Sequence, residues 1–163
     1  MDSILIITTG GTIDKVYFDQ LSDYQVGDSI VDKLLQEAHV TQRYQILPLM
    51  QKDSLELTDA DRKAIRQTVA DSAASRIIIT RGTDTMTETS ACLEGIPDKT
   101  IVLTGSLAPA RFAMSDATLN VGMALATVQT QTPGVYIAMN GTVFSAKSVI
   151  KNRKLNRFEN KSR

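Results

Sequence analysis

Five short apolar runs, separated by helical patterns, constrain the fold of this chain more than any other feature of its sequence. Each run is continuous and rich in β-branched residues, as expected for strands that are buried on both faces of a parallel sheet. The runs lie at residues 4–7, 46–47, 77–79, 101–103 and 135–138. Because strands and helices alternate, the pattern predicts one doubly wound α/β domain with a mainly parallel, three-layer architecture of the Rossmann or flavodoxin-like kind.

Four helices are expected between the strands, and one segment departs from this alternation. The helices are predicted at residues 29–38, at residues 58–70, from Thr85 onward and at residues 116–128. Three pairs have capping spacing, with a hydroxyl three residues before a carboxylate: Ser29 and Asp32, Thr58 and Asp61, Thr85 and Glu88. Residues 10–28 are polar and lack periodicity, and they are long for a βα connection. We expect this segment to be a loop that acts as a lid.

Composition limits the partners and the location that can be expected. Lys plus Arg and Asp plus Glu both number 18, so a net charge of zero offers no attraction for nucleic acid or an anionic membrane. No apolar stretch approaches the roughly 18 to 20 residues of a membrane helix, and no leader is visible. A cytoplasmic protein is expected. Residues 1–150 are predicted to form the domain, followed by a basic, solvated tail at 151–163.

The counts of histidine and cysteine exclude several chemistries. His39 and Cys92 are the only residues of their types, which is too few for a usual zinc site or a disulfide framework. His39 is expected on the surface, and Cys92 is expected in the core. Because phosphate-loop and dinucleotide-binding motifs are also missing, no metal and no cofactor are predicted.

Polar residues and glycines follow four of the predicted strands. They are found at residues 8–12 (TTGGT), 53–54 (DS), 81–85 (RGTDT) and 104–106 (TGS). Open parallel sheets bind ligands beyond the carboxyl ends of their strands, so these segments are expected to form one polar site. Without a suitable histidine, a hydroxyl nucleophile needs another base, and a lysine oriented by a carboxylate can supply one.

Two of these segments resemble the signatures of bacterial-type L-asparaginases. Residues 8–13 (TTGGTI) are similar to the first signature, and residues 81–86 (RGTDTM) are similar to the second. Weaker similarities occur at residues 22–27, 53–54, 105–109 and 140–143, the last leading to Lys151. The resemblance covers essentially the whole chain and implies hydrolysis of L-asparagine to L-aspartate and ammonia.

The resemblance also implies roles for individual residues. Thr12 would attack the side-chain amide with help from a lid tyrosine, which is Tyr24 rather than Tyr17 by its sequence context. Thr83, Asp84 and Lys151 would complete the catalytic group, and Thr83 stays open as an alternative nucleophile. Substrate contacts are implied for Gly11, Asp53, Ser54, Gly82 and Ser106. An oxyanion is expected near the backbone N–H groups of Gly11 and Thr83.

Three departures from the family pattern accompany the resemblance. Family members typically continue into a second, smaller domain, whereas this sequence has 163 residues. A homo-oligomer, dimer or tetramer, is therefore expected to complete the site. Arg81 replaces a common histidine, and Leu55 replaces a residue that is often polar. Two alternative functions are an ammonia-supplying subunit of a tRNA-dependent amidotransferase and a catalytically weak amino-acid-binding module.

Overall fold

The computed structural model describes residues 2–162 as ten strands and four α-helices. The strands are β1 (Ile4–Gly10), β2 (Lys15–Phe18), β3 (Asp23–Val26), β4 (Tyr44–Lys52), β5 (Arg76–Thr80), β6 (Thr100–Thr104), β7 (Gly134–Met139), β8 (Thr142–Ser145), β9 (Val149–Asn152) and β10 (Arg157–Asn160). The helices are α1 (Val31–Glu37), α2 (Asp59–Asp71), α3 (Met86–Cys92) and α4 (Ala117–Thr130).

A six-stranded sheet with the order β4-β1-β5-β6-β7-β8 forms the centre of the molecule. Its first five strands are parallel, and only the edge strand β8 runs antiparallel to its neighbour. The prediction of a mainly parallel, doubly wound sheet is therefore confirmed. The chain leaves β1 for β4 on one side and then returns to β5 on the other, which makes a topological switch point between β1 and β5.

Helices cover both faces of the sheet, because neighbouring residues of each strand point to opposite sides. On one face, the buried core joins strand residues Ile6 and Ile78 to Val31 of α1 and Val121 of α4. On the other face, it joins Ile7 and Ile79 to Ile65 of α2 and Met86 of α3. The continuous apolar runs of the sequence are thus explained by a sheet that is buried on both faces.

Only one of the three predicted capping pairs forms. Thr58 and Asp61 cap α2 reciprocally, with distances of 3.2 Å from the Asp61 nitrogen to Thr58 Oγ1 and 2.9 Å from the Thr58 nitrogen to Asp61 Oδ2. Ile30 takes the cap position of α1 without a side-chain cap, so the prediction for Ser29 and Asp32 is wrong. The prediction for Thr85 is also wrong, since its hydroxyl bonds to the neighbouring Ser54 loop instead.

The predicted lid loop contains a β-hairpin. Strands β2 and β3 pair antiparallel, with Lys15 opposite Val26 and Phe18 opposite Asp23. A 3₁₀ turn at Asp19–Leu21 joins them, followed by Ser22 in the left-handed region at φ 46°. Each strand has four residues that are mostly exposed, so there is no buried face to produce an alternating pattern.

The basic C-terminal segment also forms a hairpin, which packs on the domain. Strands β9 and β10 pair antiparallel, and Phe158 is only 3% exposed within the core on the α2 and α3 face. The tail is therefore an ordered hairpin up to Asn160, while residues 153–157 are exposed to solvent as expected. Lys151 lies on β9, so the packing of this hairpin fixes the position from which its side chain extends.

Replacing Phe158 with alanine should destabilise the domain by about 3–5 kcal/mol, because the substitution leaves a cavity in the core. Urea unfolding followed by circular dichroism measures this change. Leu155→Ala, at a 54% exposed position in the turn of the same hairpin, is the matched control and should change stability by about 0.5 kcal/mol or less. Equal unfolding midpoints for the two variants would contradict the packing described here.

Candidate active site

Close backbone contacts bring together the loops that follow β1, β4 and β5. Gly11 has φ 92°, and a Cβ atom built on it would lie 2.2 Å from the Gly82 nitrogen. A Cβ atom on Gly82 would lie 2.5 Å from the Ser54 Cβ atom. Only glycine fits at these two positions. The contacts place the neighbours of these glycines, Thr12 and Thr83, on adjoining loops at the switch point.

Thr83, Asp84 and Lys151 form one hydrogen-bonded cluster, which we call the Lys151 group. Lys151 Nζ lies 2.9 Å from Thr83 Oγ1 and 2.6 Å from Asp84 Oδ1. The Lys151 side chain is 7% exposed and that of Asp84 is 40% exposed, so the cluster is buried at the lysine and open to solvent at the carboxylate. Arg153 donates to the Asp84 carbonyl at 3.1 Å. The structure therefore assembles three of the sequence-predicted residues.

Ser54 lies at the centre of a second hydrogen-bonded cluster. Its hydroxyl accepts from the Thr85 backbone nitrogen at 2.9 Å and from Arg81 Nη2 at 3.2 Å. Arg81 is fully buried, and burial lowers the pKa of its guanidinium to about 10. The sequence identified both residues, but the contact between them could not be predicted because 27 positions separate them.

Thr12 and Tyr24 are not joined to the Lys151 group by hydrogen bonds. Thr12 begins the 3₁₀ turn Thr12–Asp14, and its hydroxyl has no hydrogen-bond partner within residues 2–162. Tyr24 lies on β3 and is 45% exposed, with its ring 5.2 Å from that of Tyr17 and 5.6 Å from that of Phe112. In this conformation the lid tyrosine contacts other aromatic rings.

Three other predicted site residues make structural contacts. The Asp53 carboxylate pairs with Lys15 Nζ at 3.1 Å, which ties the lid hairpin to the loop after β4. Ser106 is buried, and its hydroxyl donates to the Ala108 carbonyl in its own loop. The Gly11 nitrogen donates to the Lys52 carbonyl at 3.0 Å, so this N–H group is not free to bind an oxyanion.

Comparison with known proteins identifies the family. The family model described as "Asparaginase, N-terminal" matches residues 3–161. The chain belongs to the asparaginase family. The resemblance found in the two sequence motifs is thereby confirmed.

Individual relatives agree with this assignment. The glutaminase-asparaginase of Acinetobacter glutaminasificans is 30% identical over 92% of this chain and 50% of the relative. A subunit of the glutamyl-tRNA(Gln) amidotransferase of Methanococcus vannielii is 30% identical over 95% of this chain and 39% of the relative. The solved thermostable L-asparaginase from Thermococcus kodakarensis matches with a TM-score of 0.84 and 28% identity, covering 97% of this chain and 51% of that one. The chain spans about half the length of the curated asparaginase relatives that it matches.

The lone histidine and cysteine of this asparaginase-family chain lie away from the Lys151 group. His39 is exposed in the turn after α1, as expected. Cys92 ends α3 and is half-buried rather than fully in the core. Within residues 2–162, no group of three or more His, Cys, Asp or Glu side chains could hold a metal ion. In the same part of the chain, no helix is both long enough and apolar enough to cross a membrane.

Asp14 closes the base of the lid hairpin, a role that the sequence did not reveal. Its carboxylate accepts from the Ile30 nitrogen at 3.0 Å, and its carbonyl accepts from the Gly27 nitrogen at 2.9 Å. Arg111 Nη1 donates to the same carbonyl at 3.3 Å. Asp14 is 1% exposed, and burial raises the pKa of its carboxyl to about 6 against weaker lowering by Ile30, Arg111 and Ser29.

The Asp14 carboxyl should make the folded domain less stable as the pH rises from about 4 to about 6. Over this window the folded protein holds a proton that the unfolded chain has released, so the free energy of unfolding falls, by about 3 kcal/mol for a two-unit shift. Asp14→Asn removes this titration while its side-chain oxygen can still accept from Ile30. Urea unfolding at several pH values should show the difference between wild type and Asp14→Asn changing across the window. Asp28→Asn, at an exposed position of the same segment, should follow the wild type.

Proposed function

We propose that this chain forms the amidohydrolase domain of an L-asparaginase, which hydrolyses L-asparagine to L-aspartate and ammonia through an acyl-enzyme on Thr12. The observation that supports it most is the Lys151 group, since a mere amino-acid-binding module has no need of a lysine held against Thr83 and Asp84. Family membership supports the same chemistry.

In the proposed first step, Thr12 Oγ1 forms a bond to the amide carbon of the substrate side chain. The carbon–nitrogen bond then breaks, and ammonia leaves with the proton that Thr12 gives up. A water molecule hydrolyses the ester, which releases aspartate and restores the Thr12 hydroxyl. The negative charge on the amide oxygen would be stabilised by the backbone N–H groups of Thr12 and Thr83, which have no hydrogen-bond acceptor within residues 2–162.

The substrate backbone would be held between Asp84 and Ser54. Only Oδ1 of Asp84 is bonded to Lys151, so Oδ2 is available for the substrate α-ammonium group. Ser54 lies on the loop that contacts Gly82, and its hydroxyl would donate to the α-carboxylate. The amide of L-asparagine is separated from both groups by two carbon atoms, which suits a site between Thr12 and the Lys151 group.

Tyr24 would join the site when the lid hairpin closes. Asp14 anchors the hairpin at its base, whereas the Tyr24 ring near the other end packs against the rings of Tyr17 and Phe112. Closure would exclude water and bring the phenol towards Thr12, where it can take part in proton transfer. We also propose that the protein is a homo-oligomer, because a second copy would cover the exposed side of this site. A cytoplasmic location is proposed as well.

Thr83 is the alternative nucleophile, because its hydroxyl directly contacts Lys151 at a distance that permits proton transfer. A second candidate function is release of ammonia for an amidotransferase, which the similarity to the Methanococcus vannielii protein supports. Activity on glutamine alongside asparagine is a further proposal, supported by the Acinetobacter relative.

Replacing Thr12 with alanine should abolish ammonia release from L-asparagine, because the variant lacks the hydroxyl that attacks the amide carbon in the proposed mechanism. Lys151→Met should lower kcat by about 10²–10⁴-fold, the usual contribution of a proton-transfer group. A coupled ammonia assay with asparagine, glutamine and aspartate measures both effects.

Two exposed positions give matched controls for these variants. Thr142→Ala and Lys154→Met change the same residue types at exposed sites and should retain wild-type rates. Aspartate binding without ammonia release from either amide by the wild type would favour the amino-acid-binding module. Ammonia release from glutamine alone would favour the amidotransferase alternative.

The ester that accumulates during turnover should identify the nucleophile. Wild-type protein is quenched with acid while it hydrolyses L-asparagine, then digested and analysed by mass spectrometry. We expect an aspartyl group on the peptide that contains Thr12. The same modification on the peptide that contains Thr83 would assign the attack to Thr83 instead.

A further inference from the structure

The guanidinium of Arg81 lies fully buried behind the loops of the proposed site. Its Nε donates to the Gly82 carbonyl at 3.1 Å, and its other nitrogens donate to the hydroxyls of Ser54, Thr85 and Thr89. All of these acceptors are uncharged. The salt bridges within residues 2–162 involve other cations, so no carboxylate forms a salt bridge with Arg81 there.

This positive charge persists under working conditions. Burial, followed by repulsion from Arg62, lowers the pKa of Arg81 only to about 10, with Glu88 acting weakly in the opposite direction, so the group stays protonated at neutral pH. Burying an unpaired charge is unfavourable, and its field is stronger in low-dielectric surroundings than in water. An anion that binds at the neighbouring loops would therefore be stabilised by the charge. The Lys151–Asp84 pair adds no net charge to oppose it.

Arg81 also determines how the Ser54 hydroxyl is oriented. Ser54 Oγ accepts from Arg81 Nη2 and from the Thr85 nitrogen, which fills both of its acceptor positions. Its proton must then point to a third oxygen. Thr85 Oγ1 is 3.1 Å away and gives its own proton to the Ser54 carbonyl, so it can accept from Ser54. The Ser54 hydroxyl is thereby held as a hydrogen-bond donor. When a ligand binds, this donor can exchange Thr85 Oγ1 for an oxygen of the ligand as its acceptor.

We propose that Arg81 is a positioning residue that makes the site selective for amides with a free carboxylate. It holds the Ser54 hydroxyl as a donor and supplies the positive charge that balances the carboxylate. The proposal rests on the proposed function and deepens it, because it assigns selectivity for the carboxylate to a buried residue that acts through Ser54.

The test compares L-asparagine with L-asparaginamide, which has the same side-chain amide but a neutral group in place of the α-carboxylate. Arg81→Met should raise the KM for L-asparagine about tenfold or more, as expected for loss of an interaction with a charged group, with kcat nearly unchanged. The KM for L-asparaginamide should change by less than about threefold. Arg81→Lys keeps the charge and should restore most of the preference for L-asparagine.

Two further variants separate this role from a merely structural one. In a Ser54→Ala background, Arg81→Met should have a smaller effect on the KM for L-asparagine, because Arg81 acts partly through Ser54. Arg66→Met is the matched control, since Arg66 is a partly buried arginine that donates to the carbonyls of Cys92 and Glu94. It should leave both KM values unchanged.

If Arg81→Met fails to fold, Arg81→Gln, which retains donors without the charge, should still raise the KM for L-asparagine more than the KM for L-asparaginamide.

Binding measurements keep this test independent of turnover. Isothermal titration compares L-aspartate with its α-amide, and Arg81→Met should weaken binding of L-aspartate alone. If the wild type binds L-aspartate with this dependence but releases no ammonia, the proposed function fails and the role of Arg81 stands. Equal weakening of both ligands, an unchanged KM ratio, or no binding of L-aspartate to the wild type would overturn the role of Arg81.

Discussion

The contact between the Gly11 and Gly82 backbones is the constraint on which the site depends. A Cβ atom on Gly11 would lie 2.2 Å from the Gly82 nitrogen, so these loops approach this closely only because Gly11 lacks a side chain. Gly82 in turn leaves room for Ser54, since a Cβ atom on Gly82 would lie 2.5 Å from the Ser54 Cβ atom. The two glycines follow β1 and β5, the strands on either side of the switch point. Sheet topology brings the loops to the same edge, and the glycines then set the distance between Thr12 and Thr83.

The Lys151 group depends on a different part of the fold. Lys151 is 68 positions from Thr83 along the sequence, and no local preference could bring them together. The β9–β10 hairpin does so because Phe158 and Val149 are buried in the core on one face of the sheet. The same burial that stabilises the hairpin therefore positions the lysine. The proposed catalytic role of Lys151 and the stability of the hairpin are linked through packing rather than through the partly exposed ion pair, whose own contribution is reduced by solvent screening.

The sequence predicted the central fold well because its signals were strong and local. Continuous apolar runs revealed the strands, and the α2 capping box formed as predicted from Thr58 and Asp61. The lid hairpin was missed because its short strands have no buried face. The site residues themselves were found through motifs. The contact between Arg81 and Ser54 could not be predicted, since it joins buried residues that are distant in sequence. The role of Asp14 was missed for the same reason.

The two hydrogen-bonded clusters of the site differ in their charge balance. In the Lys151 group, the Lys151 ammonium and the Asp84 carboxylate lie 2.6 Å apart, so their opposite charges nearly cancel for any group farther away. In the Ser54 cluster, Arg81 has only neutral hydrogen-bond partners, so its field is not cancelled by them. The proposed substrate carries its α-carboxylate and α-ammonium groups at one end and an uncharged amide at the other. In the proposed complex the carboxylate would lie towards Ser54 and Arg81, the ammonium towards Asp84 and the amide towards Thr12, so each charged group would meet a group of opposite or neutral charge.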